Sequence, residues 1–178
     1  DLEPVQNHDL LVGELFIAIP IATLILIYVF GTLAFLLPFM LAAAAIPVTL
    51  GFVWIFAHYM TLSTYIQNMV MLIGLGIAID YTLLMVYRYR EEHQAGGSRI
   101  EAVERTMETA GRAVVFSGTA VAIGLALMLF MPVPFMRGFG IAGLLIPLVS
   151  VLAAMTLLPV LLYWVEDRLD RVRFLPAR

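Results

Sequence analysis

The sequence predicts an all-α membrane protein: five transmembrane helices in one bundle, with a short further helix on the cytoplasmic surface. Three observations predict it. Of the 178 residues, 62% are hydrophobic and 13% charged, and mean hydropathy is +0.99. An ordinary soluble domain is about half apolar and a quarter charged, and a chain this short cannot bury so much apolar surface in a core of its own. The apolar residues also gather into five runs near the length of about 20 residues that a hydrocarbon layer of about 30 Å requires. Finally, every basic residue is arginine, and only Arg137 falls in a turn on the opposite side from the rest.

The elements follow in order. Residues 1–8 form a polar, acidic extracytoplasmic tail, and the bundle occupies 9–165. The first span covers 10–35 and still holds Glu14 at its start. Its opening turns are therefore expected in the interface, with a bend near Pro20, since proline within a transmembrane helix usually kinks it. The second span covers 37–56 and contains Pro47; the third covers 66–87. Between the third and fourth spans, Ser98 followed by Glu101 fits a capping box. Ile100, Val103, Met107 and Ala110 then recur at helical spacing before Gly111. This reads as an interfacial amphipathic helix over 98–111, serving either as a connector under the bundle or as a docking helix. The fourth span covers 113–131, the fifth covers 139–164 with Pro147 inside it, and 166–178 is a tail. Arg88, Arg90, Arg99, Arg105 and Arg112 follow the third span, and Arg168, Arg171, Arg173 and Arg178 lie in the tail. Arginine-rich loops stay on the cytoplasmic side. The C-terminus is thus expected in the cytoplasm and the N-terminus outside, in a multi-pass protein of the cytoplasmic (inner) membrane. The first residues do not resemble a signal peptide, and the chain reads as a segment of something longer or a processed piece.

Several functional classes drop out. Without cysteine, neither disulfides nor thiolate metal sites can form. His8, His58 and His93 fall in separate places, so no metal cluster is expected. No phosphate-cradling loop or nucleophile elbow is present, and no enzyme activity or cofactor is expected. The net charge of −3 and the scattered arginines give no footprint for nucleic acid. His58 and Tyr59 near one span end, and Gln67 and Asn68 near another, read as interfacial residues.

Asp80 stands apart. It is the only acidic residue deep within a span. It lies eight residues from Arg88, or about 12 Å along a helix. A carboxylate at that depth costs several kcal/mol unless it faces protein, finds a partner or carries a proton. A carboxyl that takes up and releases protons is what a relay requires; a carboxyl merely satisfied by a hydroxyl would be structural. Asp80 is expected to face protein, with Ile73, Gly76, Ile77, Leu84 and Tyr87 on its side of the helix. Gly76, and Gly74 on an adjacent face, would admit a neighbouring helix closely. On the fourth span, Ser117, Gly118 and Thr119 reach the same depth. Their hydroxyls either bond to Asp80 or a water beside it, or bond back to their own helix within a small-residue contact.

Four stretches, taken in order, resemble one family. "GLGIAIDYTLLMVYRYREE" (Gly74 to Glu92) resembles the signature helix of MMPL transporters in the RND superfamily, in which an Asp-Tyr pair sits mid-membrane on the fourth helix. "DLLVGELFIAIPIATLILIYVFGTLAFLLP" (Asp9 to Pro38) resembles the second helix and the turn into the third. "TAGRAVVFSGTAVAIGLALML" (Thr109 to Leu129) resembles the fifth, and "FGIAGLLIPLVSVLAAMTLLPVLL" (Phe139 to Leu162) the sixth. The resemblance implies half of an RND-type bundle, helices two to six of one repeat, most similar in wording to the first repeat. The same block corresponds to the sterol-sensing domain of eukaryotic relatives.

The resemblance further implies a proton-driven exporter of lipids or other hydrophobic molecules. Asp80 and Tyr81 match the proton-relay pair, and Ser117 and Thr119 would be its neighbours. Gly74, Gly76 and Gly118 would provide the packing around it. The family pattern has twelve helices, a second Asp-Tyr pair on the tenth, and extracytoplasmic porter domains. The expected partners are therefore the lipid bilayer, a hydrophobic substrate, and a second transmembrane half or other membrane chains. A lipid- or sterol-sensing module, or a structural accessory subunit that does not transport, is the alternative.

Overall fold

A computed structural model describes residues 35–58, 65–96 and 98–169. The span expected over 10–35, with its bend near Pro20, lies outside the described residues. Those described are helical and contain no strand. Helix α1 is Leu36–Ala57, α2 is Tyr65–Gln94, α3 is Arg99–Thr106, α4 is Arg112–Ala126 and α5 is Pro134–Leu169. Four stretches are long and apolar enough to cross a membrane: Leu36–Phe56, Tyr65–Gln94, Arg99–Phe130 and Phe135–Trp164. The chain is thus a multi-pass helical membrane protein, with four stretches able to cross among the described residues.

The helices outrun their apolar cores. The third span, expected over 66–87, continues as α2 to Gln94. Arg88 sustains that extension by pairing with Glu91 at 2.6 Å and Glu92 at 2.5 Å, the i,i+3 and i,i+4 spacings that meet on a helix surface. A helix of 30 residues is about 45 Å long, so its charged end stands clear of a hydrocarbon layer of about 30 Å. Pro47, Pro147 and Pro159 all lie inside helices.

The interfacial segment differs from its expected form. Ser98 and Glu101 do form a capping box, each side chain bonded to the other's backbone N–H. The helix does not stop at Gly111, however. Residues Met107–Gly111 form one π-helical stretch that carries α3 directly into α4, and Leu127–Phe130 close the segment as a 3₁₀ turn. Gly111 has right-handed helical angles, φ −58° and ψ −45°. A Cβ added there would meet the Met155 side chain at 3.3 Å. Its missing side chain therefore serves close approach to α5, not helix termination.

Small residues set the packing within the compact unit Leu37–Trp164. Ile66 and Val70 of α2 and Ala142 and Ile146 of α5 are buried together, with Ile46, Leu50 and Val53 of α1 packed against them. A Cβ on Gly74 would lie 2.8 Å from Ile46 Cγ1 and 3.0 Å from Ile146 Cδ1. One on Gly143 would lie 2.7 Å from Leu125 Cβ, and one on Gly140 2.8 Å from the Leu129 backbone nitrogen. Helices in lipid associate through such contacts because apolar side chains gain nothing by leaving an equally apolar solvent. Hydroxyls adapt to the same setting: Thr49, Thr106 and Thr156 each donate to the carbonyl four residues back.

Candidate functional site

Helix α2 buries one stripe: Ile66, Val70, Gly74, Ala78, Tyr81, Thr82, Met85, Val86 and Tyr89. At 3.6 residues per turn, Asp80 is two residues out of step with Ala78 and falls on the far side. Its side chain is exposed, as are Gly76, Leu83, Leu84 and Tyr87 on the same side. The expectation that Asp80 packs against a neighbouring helix is not met among the described residues: it lies on their surface. Sequence periodicity could not choose the face, because the span is apolar all round and only packing separates its sides.

Tyr81 takes the inward direction and is 6% exposed. A Cβ on Gly118 would lie 2.5 Å from the Tyr81 hydroxyl and would run into Val151 Cγ2. Three helices thus meet at Gly118, and its hydrogen leaves the space that the phenol fills. Ser117, next to Gly118 on α4, and Asp80, next to Tyr81 on α2, flank this contact. Ser117 also donates to the Val114 carbonyl at 3.2 Å.

The remaining expected residues separate. Thr119 donates to the Val115 carbonyl at 2.7 Å and lines a groove with Arg112, Val115, Phe116 and Met155, away from Tyr81. Gly74 packs against α1 and α5, and Gly76 has open space where a side chain would be. The structure therefore groups Asp80, Tyr81, Ser117 and Gly118, and sets Gly74, Gly76 and Thr119 apart from them. No group of three or more metal-ligating side chains occurs among the described residues.

Two features were not anticipated. Thr82 and Ser150 are fully buried, and neither hydroxyl has a hydrogen-bond partner among the described residues; each is the sequence neighbour of a residue packed at Gly118. At the charged end of α2, Glu92 is held by both Arg88 and Arg105, the latter at 3.5 Å. Arg88 Nε also donates to Thr109 Oγ1 at 3.1 Å. This tie joins the helix bearing Asp80 to α3 and the π-helical stretch. The Arg88–Glu92 spacing was legible in sequence; the cross-helix partners, 13 and 21 residues away, were not.

This surface sets the chemistry. A carboxyl on an apolar helix face, about 12 Å from the charged end, costs about 3 kcal/mol when ionised against lipid. It is therefore better accommodated under a covering protein surface than against lipid. The adjacent phenol is held in place by packing, so the pair is preorganised on one side and open on the other.

Comparison with known proteins gives a consistent answer. A family model described as the MMPL family matches residues 1–172. A putative membrane protein of Streptomyces coelicolor is 41% identical over 161 residues, covering 90% of this chain and 22% of that protein. The trehalose monomycolate exporter MmpL3 of Mycolicibacterium smegmatis is 36% identical over 154 residues, covering 86% of this chain and 15% of that protein. The mycolic acid-containing lipids exporter MmpL11 of the same species is 33% identical over 157 residues, covering 88% and 16%. The chain thus spans less than a quarter of the length of these relatives.

Proposed function

The chain belongs to the MMPL family of RND-superfamily transporters, and from that premise we propose that it is the transmembrane portion of a proton-motive-force-driven exporter of lipids or other hydrophobic molecules. Asp80 and Tyr81 form one half of its proton relay. The observation that carries this reading is the orientation of the pair. Asp80 lies on an apolar outer face beside a phenol packed against Gly118. A carboxyl in that position is suited to meet a second transmembrane half, from another part of a longer protein or from another chain. The export activities named for the relatives support a lipid or hydrophobic cargo here. The arginine-bearing ends then face the cytoplasm.

Infrared difference spectroscopy of the protein in bilayers, with Asp80→Asn as control, tests the relay. The expected outcome is a carboxyl band that responds to an imposed proton gradient and disappears in Asp80→Asn, while helicity and thermal stability are retained. A carboxyl band indifferent to the gradient, or an Asp80→Asn protein that fails to assemble, would make Asp80 a structural group.

A further inference from the structure

A second surface lies on the other flank of α4, between it and α5. Arg112, Val115, Phe116 and Thr119 recur at i, i+3, i+4 and i+7, and with Met155 they line a cavity of about 410 Å³. That volume lies within the range of about 300–1,000 Å³ typical of small-molecule pockets. Phe116 is 80% exposed and Val115 40%. The one hydroxyl present, on Thr119, is committed to the Val115 carbonyl, so the groove wall is apolar. From Arg112 to Thr119 it extends about 10 Å along the helix axis. Gly118, on a different flank of α4, is the residue that meets Tyr81, which separates this groove from the Tyr81 contact.

Arg112 supplies the chemistry at the groove's charged end. Arg88 is held by Glu91 and Glu92, and Arg105 by Glu92. Arg112 is exposed and has no carboxylate partner among the described residues. An uncompensated guanidinium above an apolar trough between two transmembrane helices is complementary to an anionic amphiphile. The phosphate pairs with the planar fork, and the acyl chain lies along Val115, Phe116 and Met155. Basic pockets between helices at the membrane edge bind anionic headgroups for this reason.

We propose that the α4–α5 groove is a binding site for one anionic phospholipid of the surrounding bilayer, held by Arg112 through its phosphate and by Phe116 and Met155 through an acyl chain. The test uses the protein in nanodiscs of phosphatidylcholine containing a minor fraction of phosphatidylglycerol. Lipids retained after detergent release are counted by native mass spectrometry. Phosphatidylglycerol is expected to be retained in preference to phosphatidylcholine. The preference is lost in Arg112→Gln, kept in Arg112→Lys, and unchanged in Arg137→Gln, whose arginine lies at the opposite end of the membrane. Raising the salt concentration on the unaltered protein weakens the preference, which tests the charge independently of any variant's folding. Equal retention of the two lipids, a preference that survives Arg112→Gln, or a salt-insensitive preference overturns the proposal. Disulfide cross-linking of two copies through Phe116→Cys, with no lipid retained, would assign the groove to self-association instead.

Discussion

At the scale of single residues, adjacent positions divide the work. Asp80 points out and Tyr81 points in, because neighbours on a helix differ by about 100° and cannot share a face. The pair therefore joins an exposed carboxyl to a packed phenol. Gly118 makes the packing possible, since any Cβ there collides with Val151 and crowds the phenol. Gly118→Ala is expected to lower stability by about 1–3 kcal/mol through overpacking and to displace Tyr81. Thermal unfolding in detergent reads the first effect and tyrosine fluorescence the second. A variant as stable as the original, with Tyr81 unmoved, would show that this contact yields freely.

At the scale of elements, the loop between α2 and α4 is a shaped structure, not a tether. Its start is set by the Ser98–Glu101 box, its route by the Arg88–Glu92–Arg105 tie, and its exit by a π-helical stretch, a form that often marks functional positions in helices. Glu101 has its carboxyl held below the usual value of 4.5, first by the backbone N–H of Ser98 and next by the Ser98 side chain. A carboxyl whose pKa is lower folded than unfolded contributes stability above the unfolded value and loses it as pH falls through the folded one. Protection of the α3 amides against hydrogen exchange is thus expected to be constant near neutral pH and to weaken below about pH 4. Ser98→Ala removes the cap at about 1 kcal/mol of helix stability, and with it most of that pH dependence. A pH response identical in Ser98→Ala would assign the acid sensitivity to another carboxyl.

At the scale of the whole molecule, the Asp80 face is apolar and has room at Gly76. In the proposed exporter this is where a second transmembrane half meets the chain, and Gly76 is the point of closest approach. Gly76→Ala gives a test that separates the chain from its assembly. Among the described residues the added methyl meets nothing within 4 Å, and alanine is the better helix former by about 1 kcal/mol, so stability of the chain alone is expected to hold or rise. In the assembled transporter the same methyl is expected to weaken association and slow transport. If transport and assembly are unaffected, the second half does not pack on Gly76.

The sequence by itself determined that the chain is helical, that it crosses the membrane repeatedly, where its charged ends lie, and that Asp80 is out of place in an apolar run. These follow from composition and local spacing, which are properties of the chain before it packs. It also carried the family in four ordered stretches, and it fixed the Ser98–Glu101 cap, which needs only residues three apart. Tertiary structure alone decided which way Asp80 faces, that Gly118 and not Gly76 receives a neighbour beside Tyr81, that Thr119 belongs to a different groove from Ser117, and that Gly111 continues a helix. The physical reason is common to the first three. In lipid, every side of these helices is apolar, so hydrophobic periodicity no longer marks the buried side; the choice falls to shape, and shape depends on residues far apart in the chain.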